Sequence, residues 1–242
     1  MKIGVLGSGG RMGKMIIQEI HSGQYGAELG AAVDVGGDKN AAFKSCDVLI
    51  DFSTAEASAD HIALAEKYQK PLVVGTTGLS KDQEAALASA ARKTAIFYTA
   101  NMSLGVNLLM ALVEQAAAKL GKEFDIEIFE AHHKHKVDAP SGTALALGHF
   151  AAKGRGVKLE EVMVSHLPSS GPRVSGSIGM SVFRGGDVVG DHTVTFAGAG
   201  ERVELTHKAT DRAIFAKGAV KAALWLKGQS PGLYSMRDLL RL

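Results

Sequence analysis

KIGVLGSGGRMGKMIIQEI, residues 2–20, joins two apolar patterns through a turn rich in glycine. "KIGVLG" (2–7) is short, apolar and partly β-branched, as a strand buried on both faces should be. From Gly13 onward, "GKMIIQEIHSG" has apolar residues at helical spacing. Between them Gly7, Gly10 and Gly13 spell G-x-x-G-x-x-G. The first glycine permits a tight turn, the second lets backbone approach a pyrophosphate, and the third lets the helix pack close to the sheet. Unpaired N–H groups at the helix start would then face the phosphates. The expectation is a strand–turn–helix that opens a dinucleotide-binding domain.

The same alternation continues outward. "LGAAVDV" (29–35), "DVLIDFS" (47–53), "PLVVGTT" (71–77) and "AIFYTA" (95–100) read as further strands. "ASADHIALAEKYQ" and "SKDQEAALASAARKT" read as helices between them, the second with Ser80 as N-cap and Gln83 in near capping-box spacing. Repeated βαβ units predict an α/β fold, a Rossmann-type doubly wound parallel sheet with helices on both faces. Asp34 falls at the end of the second strand, 21 positions after Gly13, close to the ~20 expected for a carboxylate on the adenosine ribose. Such a carboxylate accepts from ribose hydroxyls and repels a 2′-phosphate. Val35 and two glycines follow it, and Lys39 is the nearest cation, so NADH is expected over NADPH. The loops "GTTG" (75–78) and "TANMS" (99–103) fall at strand C-termini, where an open sheet binds ligands.

Past residue 103 the pattern changes. "SLGVNLLMALVEQAAAKLG" is a long helix candidate, "DIEIFEA" an alternating strand, and "GTALALGHFAAKG" a second helix. From 161 to 209 strands dominate, with a hairpin expected to turn at Gly185-Gly186-Asp187. "DRAIFAKGAVKAALWLKG" (211–228) is again helical.

Composition narrows the function classes. The 242 residues are 46% hydrophobic and 21% charged, with a net charge of +2, so no global field favours nucleic acid. Cys46 is the sole cysteine, which excludes an internal disulfide and fits a reducing cytoplasm. The first residues lack the pattern of a signal peptide, and no apolar run is long enough for a membrane span. A cytoplasmic protein is expected.

Against this background stands "EAHHKHKVDAPSGTALALG" (130–148), with three histidines and two lysines in five residues. As a metal site it is poor, because neighbouring side chains on an extended segment diverge and the lysines repel a cation. A nucleic-acid patch would need more charge, and a solvated loop stays open as the plain reading, as it does for the isolated His21, His61 and His149. An anion site explains more. Ser141 can cap the following helix, leaving the N–H groups of Gly142 and Thr143 to receive a carboxylate. Lysine in a desolvated pocket, or histidine, can donate a proton near neutrality. A dinucleotide domain followed by a cationic proton donor implies reduction of a small dicarboxylate, with no metal.

The run "EAHHKHKVDAPSGTA" (130–144), together with "GSGGRMG" (7–13), closely resembles the dihydrodipicolinate reductases, also called 4-hydroxy-tetrahydrodipicolinate reductases, of lysine and diaminopimelate biosynthesis. The likeness extends through "DFS" (51–53), "GTTG" (75–78), "ANMSLGVN" (100–107) and "THKATDRAIFAKGAVKAALWL" (206–226). It implies His132 as catalytic acid/base and Lys136 as proton donor, with His133, Gly142 and Thr143 on substrate carboxylate. Gly7, Ser8, Gly9, Gly10, Arg11 and Met12 would hold the pyrophosphate and Asp34 the ribose. Gly75, Thr76 and Thr77, with Thr99, Ala100, Asn101 and Met102, would line the nicotinamide side. Arg212 and Phe215, in the returning C-terminal helix, would pack near the cofactor.

The resemblance further implies a Rossmann domain of residues 1–103 plus 211–242. Residues 104–210 would form an α/β substrate-binding and oligomerisation domain with a mostly antiparallel or mixed sheet. The assembly would be a homotetramer, its domains closing on hinges near 103 and 211. Two departures stand out. Dual-specificity members often carry arginine where this chain has Val35, and the chain is short, through trimmed loops. The competing readings are a reductase of another small dicarboxylate and a non-catalytic dinucleotide-binding regulator.

Overall fold

The apolar runs of the first hundred residues become five strands, and helices fill the gaps between them. In order these are β1 (Lys2–Leu6), α1 (Arg11–His21), β2 (Glu28–Val33), α2 (Lys39–Ser45), β3 (Val48–Asp51), α3 (Ala55–Tyr68), β4 (Leu72–Val74), α4 (Lys81–Ala90) and β5 (Ala95–Tyr98). The computed structural model describes residues 1–165 and 171–242. It divides into two compact units, Met1–Leu104 with Ala213–Leu242, and Gly105–Arg212.

In the first unit the strands form one parallel sheet, completed by β11 (Gly232–Tyr234) in the order β11-β5-β4-β3-β1-β2. Alternate residues feed opposite layers. Ile3, Val5, Ile50, Val73 and Phe97 pack with Ile16 and Ile20 of α1 and with the alanine-rich α8 (Ala213–Leu226). Leu6, Leu49, Leu72, Val74 and Ile96 pack on the other side with Phe43, Ile62 and Leu87 of α2, α3 and α4. Burial on both faces is why these strands read as continuous apolar runs. The chain leaves β1 toward β2 on one side and β3 on the other. That reversal opens a crevice beyond the strand C-termini, where doubly wound sheets bind ligands.

The second unit holds a mixed sheet. Its elements are α5 (Leu104–Lys119, in this unit from Gly105), β6 (Asp125–His132), α6 (Gly142–Gly154), α7 (Leu159–Val162), β7 (Met163–Ser165), β8 (Ile178–Arg184), β9 (Gly190–Gly198) and β10 (Glu201–Ala209). The strand order is β10-β9-β6-β8-β7. Ile126 and Ile128 of β6, Met180 of β8 and Val194 and Phe196 of β9 face α5 and α6 across the core.

Here one expectation fails. The segments on either side of Gly185-Gly186-Asp187 do not pair as a hairpin. β6 lies between them, parallel to β8 and antiparallel to β9. The antiparallel hairpin is instead β9–β10, turning at Gly200 with φ of 85°. Both runs carry the alternation of a strand, but alternation does not name the partner. Within the 161–209 stretch read as strand-rich, residues 166–170 lie outside those described. The short α2, α7, β11 and the terminal α9 (Met236–Leu240) were not expected at all.

Candidate active site

In the first unit the glycine turn is built by close approach. Gly7 sits at φ of 78°, and a side chain there would meet the Phe52 carbonyl at 2.5 Å. Any Cβ on Gly13 would press on the Gly7 carbonyl and stand 2.7 Å from Ser8 Cα, so α1 lies directly against the turn. The amides of Gly7 and Ser8 both donate to the Val33 carbonyl, at 2.9 and 3.1 Å, which ties the turn to the end of β2. Asp34, the next residue, accepts from its neighbour's amide (Val35 N, 2.9 Å) and lies against Gly9, where a Cβ would fall on the carboxylate. Gly10 is the N-cap of α1 and supplies no capping side chain, which leaves the helix start to an outside acceptor. These residues fit a dinucleotide: backbone N–H groups for the pyrophosphate, and a carboxylate at the distance in sequence that a ribose needs.

Two adjoining cavities extend from this turn. One, of about 430 Å³, is bounded by Gly7, Gly10, Asp34 and Val35, and also by Lys39 and His61. The other, of about 550 Å³, is bounded by Gly10, Arg11 and Met12 on one side and Gly75, Thr76 and Thr77 on another. Ala100, Asn101, Met102 and Phe215 close it. Gly10, Phe52 and Ser53 border both. Ser8, Gly9 and Thr99 support the walls rather than line them, Thr99 Oγ1 donating to the Asn101 carbonyl at 3.2 Å.

The residues that sequence reasoning missed sit on the segment after β3. Ser53 N donates to Asp51 Oδ1 at 3.0 Å and to Thr76 Oγ1 at 3.1 Å, locking this loop to the 75–78 loop. Beneath it Asp51 is fully buried, bonded to Ser58 Oγ at 2.6 Å and 3.2 Å from His61 Nδ1. The plain solvated reading of His61 is therefore wrong: it is buried, paired with a carboxylate, and borders the Asp34 cavity. The signal was present in the "DFS" run, whose acidic residue ends a strand otherwise fully apolar.

In the second unit the strand period of two places Glu130 and His132 on one face of β6. His132 Nδ1 lies 2.5 Å from Glu130 Oε2, and both residues are nearly closed to solvent. Arg184 of β8 binds Glu130 with two nitrogens, each at 2.7 Å, and Ser141 N donates to Glu130 Oε1 at 2.9 Å. Burial works to raise the Glu130 pKa, but the hydrogen bonds from Arg184, His132 and the Ser141 amide outweigh it and hold the carboxyl below its ordinary value. Ser141 caps α6 as expected, its Oγ accepting from Ala144 N at 3.1 Å. The same Oγ shares a 3.0 Å hydrogen bond with His192 Nε2. The His192 ring meets the His132 ring edge-on with centroids 5.1 Å apart. Burial first, then the neighbouring His132, push the His192 pKa down to about 4.

Around this buried row the cationic segment is more open. Lys136 Nζ contacts both oxygens of Asp138 at 2.8 Å, an ion pair the sequence did not single out. Hydrogen bonding from Lys136 is the main reason Asp138 is held below its ordinary value. Gly142 is exposed and Thr143 half-buried at the helix start. The amide of Lys136 donates back to the His133 carbonyl at 3.1 Å, which curls the segment. His133 is lowered by burial and by the charge of Arg212, whose guanidinium is 3.3 Å from His133 Nε2.

Arg212 lies just outside the C-terminal helix in which it was expected, since α8 begins at Ala213. It precedes α8 and belongs to the second unit, where it borders a cavity of about 590 Å³ with His133, Lys134 and His135. Its charge adds to the cationic cluster of the second unit, and Phe215 borders the cavity beside the glycine turn in the first. Sequence proximity to the helix could not show on which side of the unit boundary the side chain falls.

Comparison with known proteins agrees over the whole length. The family model for the dihydrodipicolinate reductase N-terminus matches residues 1–102, and that for its C-terminus matches residues 105–240. A 4-hydroxy-tetrahydrodipicolinate reductase of Zymomonas mobilis is 52% identical, covering 100% of this chain and 98% of its own. One from Magnetococcus marinus is 46% identical, covering 99% and 98%. Among solved structures, the dipicolinate-bound dihydrodipicolinate reductase of Paenisporosarcina sp. TG-14 has the same fold, with a TM-score of 0.79 at 23% identity and 98% of each chain covered. By these full-length matches the chain belongs to the dihydrodipicolinate reductase family of oxidoreductases.

Proposed function

We propose that this chain reduces 4-hydroxy-tetrahydrodipicolinate, through its dehydrated imine, to tetrahydrodipicolinate, with NADH preferred over NADPH. The observation that carries the reading is the cationic segment 132–136 leading into the Ser141-capped start of α6, a built receptor for a small dicarboxylate. In this reading the first unit is the dinucleotide-binding domain, and the second binds substrate and assembles the oligomer. Reduced nicotinamide, when bound, supplies a hydride.

The chain's own residues do the rest. Gly7 to Met12 hold the pyrophosphate and Asp34 the ribose, and the 75–77 and 99–102 loops orient the reacting ring. His133, Thr143 and the Gly142 amide hold the carboxylates, with Arg212 adding charge beside His133. Hydride addition to the ring carbon drives negative charge toward the ring nitrogen. His132 and Lys136 supply the proton that neutralises it. Asp138 keeps the Lys136 ammonium positioned until it donates.

The preference for NADH rests on Asp34 and on what stands beside it. Val35 is fully exposed and offers no charge, and Lys39 is already engaged with Asp60 Oδ2 at 2.9 Å. Among the described residues bordering the Asp34 cavity, a 2′-phosphate would meet this carboxylate and no Lys or Arg but the engaged Lys39. A homotetramer is supported by the sheet face opposite α5 and α6, where Phe129 and Phe183 stand 43% and 48% exposed. No described helix is long and apolar enough to cross a membrane. A cytoplasmic location suits an enzyme that draws on the cell's reduced dinucleotide.

The test is spectrophotometric. Substrate is generated from pyruvate and aspartate semialdehyde by the synthase, and NADH and NADPH are supplied in separate cuvettes. Substrate-dependent loss of reduced cofactor, faster with NADH, is expected, and Lys136→Ala should lower kcat roughly a hundredfold while leaving NADH binding intact. Cofactor binding without consumption in either cuvette would replace the reductase with a dinucleotide-binding regulator.

A further inference from the structure

Glu130 belongs neither to the cationic run nor to the start of α6, yet it joins them. Its Oε2 faces His132 Nδ1 at 2.5 Å and one Arg184 nitrogen at 2.7 Å. Its Oε1 takes the Ser141 amide at 2.9 Å and the second Arg184 nitrogen at 2.7 Å. All acceptor capacity in this 1%-exposed carboxylate is therefore directed at three groups: an imidazole at the end of a strand, the cap of a helix, and a fixed guanidinium charge. An ion pair kept only for folding needs Arg184 and Glu130 alone.

We propose that Glu130 is a positioning residue that locks His132 in its Nδ1–H tautomer, so that Nε2 is the atom offered for proton transfer, and that holds the cap of α6 in register with it. The chemistry follows from donor and acceptor inventory. A carboxylate ionised by its guanidinium partner can only accept, so the proton in the His132 contact sits on Nδ1. The neutral ring then carries its lone pair on Nε2, so the ring takes up a proton at that atom and gives it to the substrate from the same atom. Gly190 of β9 flanks that atom, and a Cβ there would stand 3.0 Å from Nε2, so a glycine leaves this edge of the ring uncovered. Ser141 N is held by the other oxygen of the same carboxylate, which fixes the carboxylate-receiving helix start relative to the ring. The catalytic consequence rests on the reductase reading given above, whereas the tautomer does not.

The experiment is ¹⁵N NMR of histidine rings in the full-length protein, with the His132 resonances assigned by their loss in His132→Gln. In its neutral form the wild-type His132 ring is expected to be the Nδ1–H tautomer. In Glu130→Gln the side-chain amide can donate as well as accept, so a mixture of tautomers is expected. Alongside it kcat should fall roughly a hundredfold or more, with KM for NADH unchanged. An Nε2–H wild-type ring overturns the proposal, as does an unchanged tautomer in Glu130→Gln whatever happens to kcat. A shifted tautomer with full turnover overturns it as well. If Glu130→Gln does not fold, the wild-type tautomer decides alone. A wild type without turnover would sink the reductase reading and leave the tautomer result standing.

Discussion

Single residues carried most of what sequence could say about the site. Gly7, Gly13 and Asp34 are legible because each answers to a local demand: a positive φ, a helix pressed on a turn, a carboxylate after the second strand. His61 was misread because its surroundings are made by a distant segment, Asp51, and the contact of Arg212 with His133 is equally out of reach of the local sequence. Glu130 is given no role by the sequence, since nothing there shows that Arg184 and Ser141 converge on it. Cofactor choice belongs to this scale. Val35→Arg would place a cation beside Asp34 on a fully exposed site, where folding is not at stake. The ratio of kcat/KM for NADPH over NADH should rise about tenfold, or ~1.4 kcal/mol. An unchanged ratio would mean that the 2′-position is read elsewhere.

Elements were read well where their ends are marked. The Ser80–Gln83 capping box and the Ser141 cap are both made as the sequence suggests. Pairing was not legible, and the supposed hairpin at 185–187 shows why: β6, which precedes both in sequence, takes the place between β8 and β9. That pairing has an energetic consequence, because it buries His192 of β9 behind His132. With its pKa pushed from 6.5 to about 4, His192 binds fewer protons in the native state than in the unfolded chain between those values. Native stability is thus unaffected by this group above pH ~6.5 and falls as pH drops through the window, by about 3 kcal/mol in all. Urea unfolding from pH 7 to 4 should show a steeper loss for the wild type than for His192→Gln. Parallel curves would show that the buried ring is not the source.

At the scale of the molecule, alternating strands and helices announced the parallel sheet, but its completion by a distant segment is a long-range fact. The first unit takes in Ala213–Leu242, and α8 brings Ala216, Ala219, Val220, Ala223 and Leu226 fully into its core. Met102 also packs there, its carbonyl so close to Gly218 that a Cβ could not fit. Deleting residues 213–242 should therefore abolish cooperative unfolding of the first unit together with NADH binding, as followed by calorimetry and cofactor fluorescence. Retained binding in the truncated chain would show that the sheet stands without α8 and β11.

The proposed reaction moves a hydride from reduced nicotinamide to the ring of a small dicarboxylate and finishes with a proton from the chain's own cluster. The most direct measurement is the mass of the product formed with NADH deuterated at the transferable position. The account predicts one deuterium in tetrahydrodipicolinate, bound to carbon and retained on exchange into ordinary water. Product without deuterium, or cofactor oxidised equally in the absence of substrate, would contradict it.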